Sequence, residues 1–187
     1  MRFRAISTGL LILMLTHFVN GQSLPSKIRG YRVYNAKVAV TNVTDATVQN
    51  NNADATVKIL NPSITGIGLF GAIIEIEAEI TAMKQSGSVE FMTCHDLHVN
   101  GVAIETEEYN HPFAFREGKL VTLPKPATIS IKTTSLAHAA YKELVESKND
   151  WSVTGTVFVF GKFKKFGFSF KRVIPVKIAL TIKNPLH

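Results

Sequence analysis

Apolar and polar residues alternate along most of this chain, which is the pattern of β-strands that bury one face. The clearest alternation sets four apolar residues against three glutamates and a threonine, namely Ile74, Ile76, Ala78 and Ile80 against Glu75, Glu77, Glu79 and Thr81. It predicts a single strand whose glutamate face meets water. Similar patterns at 34–41 and 55–60 predict two further strands.

Shorter alternating stretches follow and lead to a long one. They predict strands at 89–93, 97–99, 102–106, 120–123 and 128–132. Asn100 and Gly101, between two of these, are a strong signal for a two-residue hairpin turn. Apolar residues then occupy the even positions from 166 to 182, except for Arg172. This pattern predicts one or two strands bent near Pro175, whose missing N–H suits an edge or a bulge.

One interval, at about 135–147, has helical rather than strand spacing. Ser135 is suited to cap its N-terminus, and Leu136, Ala139, Ala140 and Leu144 form an apolar stripe. Many short strands with a single helix predict a mainly β fold. We expect an immunoglobulin- or fibronectin-like antiparallel β-sandwich, with the α-helix before the last strands.

The N-terminus has the three parts of a secretory signal peptide. Arg2 and Arg4 precede a short apolar run that begins at Leu10, and Gly21 ends a suitable cleavage site. The run is too short to span a bilayer; the alternatives are a buried N-terminal helix and an uncleaved anchor. We predict a signal peptide at 1–21, a linker at 22–30 and a single domain at 31–187. The protein is therefore expected to be exported, to the periplasm or outside the cell.

Charge and cysteine content limit what the exported chain can do. The sequence has 21 Lys and Arg, 14 Asp and Glu and a net charge of +7. Removal of 1–21 leaves 19 cations against the same 14 acids, a net charge of +5. Cys94 is the single cysteine, so no internal disulfide can form, whereas pairing between chains stays open. No cysteine lies at the cleavage point to carry a lipid anchor.

Residues 158–172 interleave aromatic rings with cations. The stretch is typical of a hairpin in which Phe158 and Phe160 end one strand and Phe166, Phe168 and Phe170 begin the next. On this interpretation the rings pair across the two strands and belong to the core.

The connection of that hairpin, at 161–165, would gather Lys162, Lys164 and Lys165 at its tip. These lysines form a possible contact surface for a membrane or another anionic partner. Nucleic acid is not expected, because it would need outward-facing rings and because an export signal removes the usual nucleic-acid partners.

Residues suited to chemistry are few. Cys94, His95 and His98 lie close together, but their spacing is unlike that of a tetrahedral metal site. In a regular strand only Asp96 and His98 share a face with Cys94, so surface histidines are the simpler interpretation. The glutamate row at 75–79 is likewise better explained as a solvated face than as a calcium site. With no nucleophile elbow, phosphate loop or dinucleotide motif in the sequence, we predict no enzyme, no cofactor and no metal.

Four motifs occur in a suggestive order. The strand at 54–62 ends in the turn Asn61-Pro62, and the tripeptide at 99–101 is followed by an alternating strand. The strand at 127–132 leads into the helix from Ser135, and Asp150-Trp151 opens a final strand pair. Over about 31–183 the chain resembles the type 2 late embryogenesis abundant (LEA) family, whose domain is also called the water-stress and hypersensitive-response (WHy) domain. It departs from the family in a longer segment at 64–94 and a second Asn-Pro at 184–185.

The resemblance implies a β-sandwich with one helix, no catalysis, and a role in protecting proteins or membranes under desiccation stress. Some members are suspected of binding lipids. Our first hypothesis is therefore an exported, non-enzymatic protein with a stress-protective or binding role in the cell envelope. Its partners would be client proteins or a lipid surface, contacted through Lys162–Lys165 or the glutamate row.

Two other hypotheses stay open. An envelope lipid-binding or lipid-transfer module would need a crevice between the sheets, lined by some of the even-numbered residues from 166 to 182. A structural or adhesion subunit would assemble by pairing of an exposed edge strand. The client, the lipid and the oligomeric state are not determined by the sequence.

Overall fold

The computed structural model describes residues 24–42, 52–60, 62–68, 71–82, 84–132, 134, 149–165 and 167–183. The predicted signal peptide at 1–21, the helix at about 135–147 and the turn residue Asn61 lie outside these residues. Within them the chain is mainly β, as predicted. The strands are β1 (Lys27–Ile28), β2 (Tyr31–Val33), β3 (Val38–Asn42), β4 (Ala55–Ile59), β5 (Ser63–Gly68), β6 (Gly71–Ile76), β7 (Ala78–Ala82), β8 (Gly87–Val99), β9 (Val102–Ala103), β10 (Glu105–Thr106), β11 (Phe113–Phe115), β12 (Leu120–Thr122), β13 (Ala127–Lys132), β14 (Asp150–Lys165) and β15 (Phe168–Lys183).

A long hairpin forms the centre of the first and largest sheet. β14 and β15 have 16 residues each and pair without interruption from Asp150 and Lys183 to Lys165 and Phe168. The sheet has the order β1-β2-β15-β14-β8-β11, and β9 pairs with β8. The predicted hairpin turn at Asn100 and Gly101 is confirmed between β8 and β9. Both residues have positive φ (49° and 78°), as a type I′ turn requires.

The second sheet has the order β10-β13-β6-β5, and the third has the order β12-β7-β4-β3. The prediction of one strand through residues 74–81 is wrong, because the chain leaves the second sheet after Ile76 and enters the third at Ala78. At the break, the carbonyl of Glu77 accepts a hydrogen bond from the Leu60 N–H at 2.9 Å. The apolar residues keep their even positions across the break, so the sequence pattern does not reveal it.

Both smaller sheets pack against the same large one. Ile174, Val176 and Ile178 of β15 share one hydrophobic cluster with Ala82 of the third sheet. Leu97 of β8 shares another with two isoleucines of the second sheet, Ile129 and Ile131. Val153 of β14 contacts both clusters. One continuous core therefore lies between the first sheet and the other two.

Not every strand pair is antiparallel, contrary to the sequence-based expectation. β2 runs parallel to β15, and β3 runs parallel to β4. Lys27–Ile28, within the segment predicted as a linker, forms the antiparallel strand β1 beside β2. In the part of the chain that the structure describes, no helix is long and apolar enough to cross a membrane.

Pro175 lies inside β15 at a place where a missing N–H does little harm. The neighbouring strand β2 pairs with β15 only at Arg172 and Val173. The Val173 carbonyl accepts a hydrogen bond from the Tyr34 N–H at 2.9 Å, so Val173 turns its backbone groups away from β14. By alternation the Pro175 nitrogen points the same way, beyond the end of the β2 pairing, which fits the expected edge position.

Candidate functional site: an apolar cavity between the sheets

A cavity of about 350 Å³ lies in the core between the large sheet and the two smaller ones. The large sheet contributes Met92, Val157, Val159, Ile174, Val176 and Ile178, and the smaller sheets contribute Val57, Ile59, Ile76, Ala78, Ile80 and Ile129. Aliphatic side chains therefore form both walls. The three β15 residues among them are even-numbered, as the lipid-binding hypothesis requires.

Small side chains explain why these strands leave space between them. Alanine occupies five positions of the lining, at Ala36, Ala55, Ala78, Ala82 and Ala127. Protein cores are normally packed as densely as organic crystals, with few voids larger than a water molecule. Space of this size leaves the aliphatic side chains around it without packing partners on one side, and a bound apolar molecule would supply those contacts.

Most of the polar side chains in the lining come from one segment. Thr106 at the end of β10 and, between β10 and β11, Glu107, Glu108, Asn110 and His111 all border the cavity. The cavity thus combines apolar walls with one polar border, which is the usual composition of a small-molecule site.

Tyr109 anchors this polar border. Its side chain is buried, and its hydroxyl donates a hydrogen bond to the Lys125 carbonyl at 2.9 Å and accepts one from the Lys125 N–H at 3.3 Å. Its backbone exchanges two hydrogen bonds with Met92 of β8. Burial raises the pKa of Tyr109, so the hydroxyl is neutral at ordinary pH. The segment is therefore fixed both to the large sheet and to the loop before β13.

Cys94 borders the cavity, but its surroundings do not activate it. Burial raises the pKa of its thiol, only partly offset by a hydrogen bond with Thr106. The thiol is therefore protonated at neutral pH and is a poor nucleophile and a poor metal ligand.

The expectation that Asp96 and His98 share a face with Cys94 is wrong, because a β-bulge interrupts the alternation. Asp96 has φ 49°, and the register with β14 shifts between Thr154 and Thr156. Leu97 takes the inward position instead.

The histidine side chains near Cys94 do not converge on it. His95 is exposed and pairs with the Asp96 carboxylate at 2.9 Å, while His98 Nδ1 lies 2.9 Å from the Asp96 carbonyl. Within the described residues, no three His, Cys, Asp or Glu side chains come together as a metal site would need.

The other residues singled out from the sequence lie away from the cavity. Pro62 occupies the break between β4 and β5, where the chain changes sheets. The glutamate row is divided by the break at Glu77, so Glu75 and Glu79 belong to different sheets.

The aromatic hairpin differs from its prediction at the turn. β14 continues to Lys165 and β15 begins at Phe168, so residues 161–165 belong to the strand and do not form the connection. Phe160 is buried as expected, and Phe163, predicted to lie in the connection, is also buried. Phe168 and Phe170, predicted to lie in the core, are exposed. Lys162 lies on the strand, directly opposite Lys171, and Lys164 lies nearer the turn, opposite Ser169. Lys165 pairs with Phe168 as the last residue of β14.

Glu90 of β8 balances the charge at this end of the hairpin. Its carboxylate accepts a hydrogen bond from the Tyr31 hydroxyl and lies 3.2 Å from Lys162 Nζ. The hydrogen bond from Tyr31, followed by the nearby ammonium of Lys162, holds the pKa of Glu90 below its usual value of 4.5. A lowered folded-state pKa stabilises the fold above the unfolded value, and this stabilisation is lost as the pH falls through the folded one.

The substitution Glu90→Gln tests this balance. At pH 7 we expect the variant to have a lower free energy of unfolding in urea than the wild type. The difference should shrink as the pH falls below about 4.5, because wild-type Glu90 then takes up a proton. Glu117→Gln, in an exposed loop, serves as the control and should change little. A difference that stays constant from neutral pH down to about pH 3 would contradict the assignment.

Comparison with known proteins adds little to this picture. No family model and no curated protein matches the sequence. A crystal structure of a protein from Archaeoglobus fulgidus is 12% identical, with 67% of this chain and 96% of that one covered and a TM-score of 0.39. A solution structure of a protein provisionally assigned to the LEA proteins is also 12% identical, with 70% and 71% covered and a TM-score of 0.31. Similarity at this level defines neither a common fold nor a common function.

Proposed function

We propose that the protein is an exported, non-enzymatic binding protein that holds one single-chain lipid in the cavity between its sheets. The observation that carries this proposal is the aliphatic cavity of about 350 Å³, lined by Ile174, Val176 and Ile178. The volume lies near the lower end of the roughly 300–1,000 Å³ of ligand sites, which favours one acyl chain over two. The signal-peptide pattern at 1–21 supports a location in the periplasm or outside the cell.

The polar border argues for an uncharged head group. Glu107, Glu108 and Asp54 all line the cavity, and an anionic head brought beside them would be repelled. Arg29 pairs with Glu108, and Lys84 pairs with Asp54 at 3.0 Å, so two of these acids are partly neutralised. A monoacylglycerol or a fatty alcohol fits this border better than a fatty acid, because its hydroxyls can bond to the acids.

A titration of the delipidated protein with monolaurin and with lauric acid tests the proposal. Isothermal calorimetry should show one monolaurin per chain and a negative heat-capacity change, because apolar surface is buried. Lauric acid should bind roughly tenfold more weakly because of the acidic border. Absence of saturable binding by either lipid would refute the proposal, and tighter binding of lauric acid would refute the assignment of the head group.

The stress-protective role implied by the type 2 LEA resemblance is a second candidate. It is supported by the order of elements, in which β4 runs into Pro62, a two-residue hairpin follows β8, and β14 and β15 end the domain. Such a protein would protect client proteins or membranes through its surface, so a blocked cavity should not impair it. The two functions can be separated by drying a sensitive enzyme together with the wild type or with a cavity-filling variant. The enzyme activity recovered after drying is then compared between the two samples.

A further inference from the structure

The end of the β14–β15 hairpin, called here the hairpin tip and comprising the described residues 162–165 and 167–171, extends beyond its neighbours in the sheet over most of its length. The last residue of β14 paired with β8 is Phe163, opposite Gly87. On the other side, β15 is paired with β2 only at Arg172 and Val173. The residues between these points and the turn pair with each other alone, apart from one hydrogen bond from the Lys164 N–H to the Ser86 carbonyl at 2.8 Å.

Two aromatic rings on one face of the tip are left uncovered. Phe168 and Phe170 continue the even-numbered face of β15 that buries Ile174, Val176 and Ile178 deeper in the core. Phe163, directly opposite Phe170 on this face, is still buried. Nearer the turn the covering side chains end, and Phe168 and Phe170 are 69% and 42% exposed, with the Arg172 guanidinium 5.3 Å from the Phe170 ring. In the described part of the chain, they are the only large aromatic side chains with this degree of exposure. Single exposed apolar residues are common, whereas two adjacent rings at a projecting tip indicate a contact surface.

The opposite face of the tip carries positive charge. Lys162, Lys164 and Lys171 alternate with the core-facing residues and are exposed. Lys162 and Lys171 are directly opposite each other, an arrangement of like charges that destabilises a strand pair. From Trp151 to the end of the chain the sequence has seven Lys and Arg and no Asp or Glu. Within the fold, Glu90 of β8 reduces this repulsion through its contact with Lys162.

We propose that the hairpin tip docks on a membrane surface rich in anionic lipids. Phe168 and Phe170 enter the boundary between head groups and acyl chains, and the lysines contact the lipid phosphates around them. The shape of the tip favours this partner over single-stranded nucleic acid. Proteins that bind single strands hold them in a positively charged groove, whereas this tip projects from the sheet, with its rings near the end and its cations around them.

Co-sedimentation with vesicles tests the docking site. The full-length mature protein should bind vesicles of three parts phosphatidylcholine to one part phosphatidylglycerol, and added salt should weaken this binding. Its binding to pure phosphatidylcholine should be at least tenfold weaker. Phe168→Ser should reduce binding to the anionic vesicles at least tenfold, and Phe168→Trp should retain it. The double variant Lys164→Gln, Lys171→Gln should also bind at least tenfold less.

Two matched variants control for loss of an apolar or a cationic side chain elsewhere. Ile73 is exposed to the same degree as Phe170 (43% against 42%) but lies on β6, so Ile73→Ser should bind as the wild type does. Lys177, exposed on β15 away from the tip, and Lys58, exposed on β4, provide the charge-matched pair Lys177→Gln, Lys58→Gln. Equal thermal unfolding of all variants would show that the fold is intact.

Equal binding of Phe168→Ser and wild type would overturn the proposal, as would equal binding of neutral and anionic vesicles. Binding of a single-stranded oligonucleotide without binding of vesicles would assign the tip to nucleic acid instead. Docking does not depend on the content of the cavity. Phe168→Ser should still bind monolaurin, and a variant with a filled cavity should still bind vesicles, so failure of one proposal is distinguishable from failure of the other.

Discussion

Replacing Gly161 by alanine is expected to lower the free energy of unfolding by about 3 kcal/mol, a large effect for the addition of one methyl group. An alanine Cβ at this position would lie 2.1 Å from the Ser88 carbonyl oxygen and 3.1 Å from the Val89 Cα. The register between β14 and β8 shifts at this point, between Phe160 and Gly161. Backbone rather than a flexible side chain blocks the methyl group, so β14 and β8 would have to move apart at the centre of the sheet.

Urea unfolding of Gly161→Ala beside Gly66→Ala provides the measurement and its control. At Gly66 the nearest atom to an added Cβ is the Ile73 Cδ1, at an ordinary contact distance of 3.6 Å. We expect Gly66→Ala to change stability by less than about 1 kcal/mol. If the two variants were equally stable, the close approach of β14 to β8 would be contradicted.

Filling the cavity should raise the stability of the ligand-free protein and at the same time weaken ligand binding. Ala78 is buried on β7 and faces the cavity, so the extra methyl groups of Ala78→Leu have space to enter. We expect the ligand-free variant to be more stable than the ligand-free wild type by up to about 2 kcal/mol, at ~0.8 kcal/mol for each buried methylene. Binding of monolaurin should fall at least tenfold, since the leucine occupies the same space.

Ala72 offers the matched control, because it is equally buried but does not border the cavity. Ala72→Leu overpacks a filled region, so it should destabilise the protein by about 1–3 kcal/mol. A destabilising effect of both leucines, of similar size, would mean that the cavity beside Ala78 is not available as space. Urea unfolding of delipidated samples gives both values.

Much of the strand pattern is predictable because alternation depends only on which face of a strand is buried. It correctly predicts β4, β13 and the two arms at β14 and β15, and the Asn100-Gly101 pair correctly predicts a hairpin turn. The change of sheet at Glu77 is not predictable in this way. Ile76 and Ala78 both face the core although they belong to different sheets, so the period continues through the break.

Irregular backbone limits prediction of the side-chain clusters. Strict alternation places Cys94, Asp96 and His98 together, but the bulge at Asp96 adds a residue and turns Leu97 inward instead. Asp96 has a positive φ, which Asp tolerates better than most residues, but a single Asp in a strand is too weak a signal to predict a bulge. The arrangement of the histidine side chains therefore follows from the structure and was not predictable from the sequence pattern.

The cavity and the exposed rings depend on what lies opposite each strand. Ala55, Ala78 and Ala82 are recognisable in the sequence as small residues at apolar positions. Only the sheet pairing shows that they lie on neighbouring strands of the third sheet and line one wall of the cavity. Phe168 has the same parity as Ile174 and was expected in the core. Phe168 is exposed because the hairpin extends past the layer that covers this face. The alternation of apolar and polar residues does not show how far along the strand that cover reaches.

Native mass spectrometry of the mature protein, purified from the cells that make it, tests the central claim most directly. Spectra would be recorded under gentle conditions and again after lipid stripping. We predict a peak heavier than the polypeptide by one single-chain lipid, lost on stripping and absent from Ala78→Leu prepared in the same way. A bare polypeptide mass in the gentle spectrum of the wild type would contradict a lipid-binding cavity and would leave the stress-protective role as the better account.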